Sequence, residues 1–247
     1  MKPIKSFFVF ILLFQSSLLL ATTYTAISSG DWTNSANWSP IGIPGSGDDV
    51  VINGYTISHL SGTININQIS ISNSSNTNSS YLIIGGTGKI IVANNVIVNS
   101  ENHNFDTRIK VENYGELEVL GDVTFTRTGD NLYSARCQLL LLNNGKVTIS
   151  RDFYFYHNNG NETYSEVWVQ DDAVFTVGRN FIFERTGSGS GSLAFDLNNN
   201  AQVIINGYLE ANLTGGPLVD FLMTGNTSFS VKGNMSLNNS GGTDKSI

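Results

Sequence analysis

Two fragments thirty residues apart, GELEVLGDVTF (Gly115 to Phe125) and GKVTISRDFYF (Gly145 to Phe155), each set an aspartate between two hydrophobic alternations. Asp122 and Asp152 have Arg151 and Arg179 beside them in the same pattern. Several carboxylates converging on a calcium ion, with a basic group nearby to take a proton, are the equipment of calcium-dependent polysaccharide cleavage by elimination. Asp171-Asp172 is a second acidic pair open to the same reading. The histidines, His59, His103 and His157, have no metal-ligand spacing and are expected to be solvated. Cys137, the only cysteine, has no histidine in register and reads as a buried or idle thiol rather than a nucleophile.

Whether the aspartates form a site depends on the elements that carry them, and those elements repeat. With anchors at Gly88, Gly115, Gly145, Ala173, Ala201 and Thr227 the intervals are 27, 30, 28, 28 and 26, and Gly62 opens an earlier, less regular copy. Equal offsets stay apolar through the copies. Eight after the anchor stand Val96, Val123, Phe153, Phe181, Leu209 and Met235; six before it stand Leu82, Ile109, Leu139, Val167, Phe195 and Phe221. Within each stretch the period is two, so the unit is built of half-buried strands. Three short strands per unit at fixed offsets predict an all-β parallel β-helix of about seven coils, in which like residues stack in ladders. A β-sandwich would have no reason to keep the offsets.

In that register the aspartates change meaning. The column that holds Asp122 and Asp152 reads Asn95, Asp122, Asp152, Asn180, Tyr208 and Asn234, and Asp171-Asp172 lies between Asn143-Asn144 and Asn199-Asn200. Asn, Asp and Gly accept left-handed backbone and bond neighbouring amides, which is what a tight corner requires. The aspartates are therefore corner residues, with Arg151 and Arg179 neutralising them; no catalytic residue is assigned, and calcium at Asp122, Asp152, Asp171 and Asp172 is the fallback. No other cofactor is expected. Glu116 and Glu118 point outward beside Lys89 and Lys146 and read as cross-strand charge pairs. The third connection of each unit is longer and irregular, the place where a rigid scaffold carries function. Near it, Tyr154, Tyr156 and Trp168 fall at outward offsets or in the adjoining loop and are the candidate ligand-binding residues, a platform for sugar faces or another protein.

The start of the chain, Lys2 and Lys5 followed by FFVFILLFQSSLLL and Ala21, reads as a secretory signal peptide over residues 1–21; Gln15, Ser16 and Ser17 interrupt the run that a membrane anchor would need. Without that segment 11 Lys and Arg face 20 Asp and Glu, a charge of −9 that argues against nucleic acid. A single cysteine excludes an intrachain disulfide framework. The expected organisation is a cap with irregular strands over 22–61 and β-helix repeats over 62–247, with Trp32 and Trp38 closing the first coil.

The segment SGDWTNSANWSPIGIPGSGDDVVING (Ser29 to Gly54), with Trp32, Trp38, Pro44 and Asp48-Asp49 before an apolar strand, resembles the opening of the eight-glycine domain and related β-helix modules of large secreted bacterial surface proteins. The resemblance implies a right-handed parallel β-helix in an extracellular, adhesin-like protein and transfers no catalytic residue. It also implies that further C-terminal domains can follow. The expected role is a secreted or cell-surface, non-catalytic module for adhesion or for contact with extracellular glycan or a surface protein. A polysaccharide lyase or hydrolase of β-helix fold is the alternative. Ice binding ranks last, because the outward offsets are mixed rather than a flat array of one short polar residue.

Overall fold

A computed structural model describes residues 21–240 apart from 75–77, 102–103, 129–134, 159–163, 187–191 and 215–218. The leader, His103 and much of the third connection lie outside the described residues. The chain is a parallel β-solenoid of about seven turns, with one short 3-10 segment, Ser35–Asn37, as its only described helix. A full turn holds three strands. The first strands are Thr107–Glu112, Arg136–Leu142, Tyr164–Gln170, Ser192–Asn199 and Val219–Gly225; the second are Glu116–Val119, Lys146–Ile149, Val174–Val177, Gln202–Ile205 and Ser228–Val231. Both belong to one thirteen-stranded sheet, because in the earlier turns they run together as the long strands Thr56–Ile66 and Ser80–Val92. The third strands, among them Val96–Ser100, Val123–Arg127, Phe153–Asn158, Phe181–Thr186, Leu209–Leu213 and Met235–Asn239, make a ten-stranded sheet. Its far edge is Trp38–Ser39, antiparallel to Thr23–Ala26, whereas the other pairings are parallel.

Pairing follows the sequence offsets residue for residue. Lys89, Glu116, Lys146, Val174, Gln202 and Ser228 form one continuous register, and Val96, Val123, Phe153, Phe181, Leu209 and Met235 another. Gly62 pairs with Gly88, which places the irregular early copy in the same stack. The intervals vary while the register does not, so extra residues are taken up in the third connection. Inward columns fill the coil with Val, Ile, Leu and, in the later turns, a run of packed rings from Phe125 through Phe153, Phe181 and Phe195. Trp32 and Trp38 are fully buried edge to face, 5.1 Å between centroids, each indole N–H on a backbone carbonyl.

Two bends punctuate each turn. The first, between first and second strands, uses left-handed backbone at Asn113, Tyr114, Asn143, Asn144, Asp171 and Asn199. Here Gly115 and Gly145 run so close to the turn before that a Cβ would lie 2.4 Å from the Ile84 carbonyl oxygen or 2.2 Å from that of Val111. The second bend, between second and third strands, carries the Asp122 column.

One inward column is not apolar. Ser100, Arg127, His157 and Arg185 stack in register at the ends of the third strands, all buried. Beside them lie Thr107, Cys137 and Ser165, buried in a column of their own on the first strands. Arg127 donates to the Ser100 hydroxyl, and His157 Nδ1 is 2.9 Å from Ser165 Oγ. His59 is buried too, with Nε2 2.9 Å from the Gly62 oxygen and its ring against Trp32. The expectation of solvated histidines thus fails for both that are described: each sits on an inward position, where a backbone or hydroxyl oxygen meets its ring nitrogen. Cys137 is buried as expected, and burial pushes its thiol up to about 12.

Candidate functional site

The second bend shows how Asp122 and Asp152 are bonded. Four side chains of the column each accept a hydrogen bond from the backbone amide of the next turn: Asp122 N–H to Asn95 Oδ1 at 2.9 Å, Asp152 N–H to Asp122 Oδ1 at 3.0 Å, Asn180 N–H to Asp152 Oδ1 at 2.9 Å and Tyr208 N–H to Asn180 Oδ1 at 3.2 Å. The corner carbonyls of Asp122, Asp152 and Asn180 accept in turn from Val96, Val123 and Phe153 of the turn before. The side chain replaces a backbone acceptor where the chain bends away from the sheet ladder. Arg151 Nε stands 3.5 Å from Asp122 and Arg179 Nη1 3.7 Å from Asp152, the neutralising contacts expected.

Asp171 and Asp172 sit at the first bend, where their carboxylates accept from the amides of Asn199 and Asn200 at 2.8 and 2.9 Å. Among the described residues no group of three or more His, Cys, Asp or Glu could hold a metal ion. Lys89 reaches Glu116 at 3.3 Å and Glu118 at 2.8 Å, as expected for cross-strand pairs.

The three candidate aromatics divide between two surfaces. Tyr154 and Tyr156 leave the third strand Phe153–Asn158 on its outward side, partly exposed. Their rings stack on each other, centroids 5.7 Å apart and planes 11° apart, because residues two apart on a strand share a face. The Tyr154 hydroxyl donates to Asp152 Oδ2 at 3.4 Å. In register around the pair stand Thr124 and Thr126 on one side and Ile182 and Glu184 on the other. Partial burial, then the carboxylates of Asp152 and Asp122, hold the Tyr154 phenol above its ordinary range; burial and Glu184 do the same for Tyr156. This is an amphipathic patch in a negative field.

Trp168 belongs to the other sheet, on the first strand Tyr164–Gln170, and does not join the tyrosines. It stands in register with Leu140 and Asp196, and its buried indole N–H has no hydrogen-bond partner among the described residues. Around it Gln138, Leu140, Glu166 and Ala194 are buried, although the alternation turns them outward. Gln138 Nε2 donates to Glu166, and Arg136 lies 3.9 Å from the same carboxylate. Burial raises the Glu166 carboxyl, opposed by Arg136 and reinforced by Asp196; burial, with Asp220, raises Asp196. The sequence alone does not single out Glu166 or Asp196, since an outward carboxylate on a strand reads as solvated. Only their lining up beside Trp168 on adjacent turns gives them away.

No helix among the described residues is long and apolar enough to cross a membrane. No known protein family, curated protein or solved structure matches this chain.

Proposed function

We propose that the chain is a secreted, non-catalytic β-helix module that makes adhesin-like contact with extracellular glycan or a surface protein through Tyr154 and Tyr156. The observation that carries this reading is the stacked, partly exposed tyrosine pair on a rigid strand. Two preordered rings offer apolar area with polar edges at low entropic cost. Hydroxyl and carboxylate groups in register beside them supply hydrogen bonds to sugar hydroxyls. Secretion is supported by the leader read over residues 1–21. In this reading the coil winds right-handed, Trp32 and Trp38 cap it, and the Ser29 to Gly54 opening is of the eight-glycine kind.

A glycan-array screen of the chain from Thr22 onward tests the proposal. Tyr154→Ala with Tyr156→Ala should weaken binding by about tenfold or more, while Trp168→Ala on the other sheet leaves it unchanged. Binding untouched by the tyrosine substitutions would remove the patch, and binding to no glycan or surface protein would remove the role. The alternative, a polysaccharide lyase or hydrolase, draws on the raised carboxyls of Glu166 and Asp196 beside Trp168. Release of sugars from a polysaccharide, abolished by Glu166→Gln, would establish it in place of the binding reading.

A further inference from the structure

The strand glutamates are matched by cations on one sheet and unmatched on the other. On the thirteen-stranded sheet Lys89 lies 3.3 Å from Glu116 and 2.8 Å from Glu118, Lys110 2.9 Å from Glu112, and Arg136 3.9 Å from Glu166. On the ten-stranded sheet Glu184 and Glu210, both partly exposed, form no ion pair among the described residues. No described group donates a hydrogen bond to the Glu184 carboxylate, and that of Glu210 accepts one, from Asn212 Nδ2 at 2.9 Å. The two lie next to the stacked tyrosines. Glu184 is in register with Tyr156, and Glu210 with Ile182, which is itself in register with Tyr154. The carboxylates thus sit one and two turns from the rings, about 5 and 10 Å along the stack. Nothing nearby offsets them. Asp122 and Asp152 already take Arg151 and Arg179 at the bend, and Arg127 and Arg185 turn inward. Among the described residues, no outward position of the third strands from Val96–Ser100 to Met235–Asn239 is Lys or Arg.

We propose that this face selects a cationic amino-sugar glycan, a hexosamine polymer whose amino groups are free and protonated, over neutral and uronic-acid polymers. The inference rests on the glycan reading of Tyr154 and Tyr156 and adds to it the charge of the sugar. A protonated hexosamine carries in one rigid unit both things the face can hold. Its C–H side lies on an aromatic ring, and its ammonium donates to a carboxylate that has no cation of its own. The negative faces of the tyrosine rings attract the same cation. The phenols of Tyr154 and Tyr156, held above their ordinary range by burial and by the carboxylates around them, lie in the same field. A uronic-acid polymer would bring its own carboxylates against Glu184 and Glu210. A neutral polymer would take water from both and return no charge to them. A lysine-rich peptide supplies ammonium groups, but on flexible stems that lose more entropy on binding and present no flat ring to the stacked pair.

Calorimetric titration of the chain from Thr22 onward, at mildly acidic pH where sugar amines are protonated, compares short oligomers of glucosamine, of N-acetylglucosamine and of a uronic acid. The glucosamine oligomer should bind about tenfold or more tighter than the acetylated one, and added salt should narrow the gap. Glu184→Gln with Glu210→Gln should bring the two affinities level. Both side chains are partly exposed and keep their size, so circular dichroism of the variant should remain that of a folded β protein. Tyr154→Ala with Tyr156→Ala should weaken both oligomers. No binding of the glucosamine oligomer, a preference that survives the glutamines, or tighter binding of a lysine-rich peptide overturns the inference. Equal, tyrosine-dependent binding of the glucosamine and acetylated oligomers overturns the charge selection alone and leaves the tyrosine platform standing. Binding indifferent to the tyrosines overturns both.

Discussion

The two bends of each turn face the same task, redirecting the chain from one strand to the next without losing its backbone bonds, and solve it with the same residue types used in opposite ways. At the first bend the backbone of Asn113, Asn143, Asp171 and Asn199 is left-handed, and the side chains bond one another along the exposed edge. At the second bend none of Asn95, Asp122, Asp152 and Asn180 has a positive φ, and their side chains take the backbone amide of the next turn. In the first the residue is chosen for the conformation it tolerates; in the second, for the atom it presents. A run of Asn and Asp therefore has no single meaning even inside one repeat.

Substitutions can pull the two apart. The largest effect should come from Asp152→Ala, which leaves the Asn180 amide without its acceptor at a partly buried corner. The expected loss is about 1–3 kcal/mol in denaturant unfolding, whereas Asp152→Asn keeps Oδ1 in place, loses the long ion pair with Arg179 and the long Tyr154 bond to Oδ2, and should cost under ~1 kcal/mol. Equal losses for Ala and Asn would mean that the charge, not the acceptor, holds this corner. Asn143→Val should come next, at roughly 1–2 kcal/mol, because a β-branched side chain is strained at φ 47°. Asn143→Gly should be close to neutral, and a large penalty for it would transfer the weight from backbone to side chain. The smallest effect belongs to Asp172→Ala, which removes one exposed bond from Asn200 and should stay within ~0.5 kcal/mol.

The solenoid was legible because its rule is local and repeated. Offsets such as Ile90, Leu117, Val147, Phe175, Val203 and Phe229 state the register directly, and the pairing reproduces it. The corner role of Asp122 and Asp152 was legible for the same reason, since Asn95 and Asn180 stand in line with them. Two features were hidden. Arg127, His157 and Arg185 look like the start of a loop, because a charged type at a strand end argues for solvent, yet the alternation carries them inward. Gln138 and Glu166 look solvated because the alternation turns them outward, yet they are buried. Period-two reasoning gives the side of a strand but not what lies against it. The division of the aromatics had a related cause: Tyr154 and Trp168 are fourteen residues apart in sequence but stand on strands of different sheets.

The buried polar column has a consequence for how the chain finds its register. Columns of Val, Ile and Leu make turns nearly interchangeable, so a growing stack could omit one and close over the gap. The series Ser100, Arg127, His157, Arg185 makes the turns non-equivalent. Omitting the turn of His157 would lay Arg127 directly on Arg185, two guanidinium groups in contact inside the coil, at a cost of several kcal/mol. The column numbers the turns, a serial key that the apolar residues cannot write.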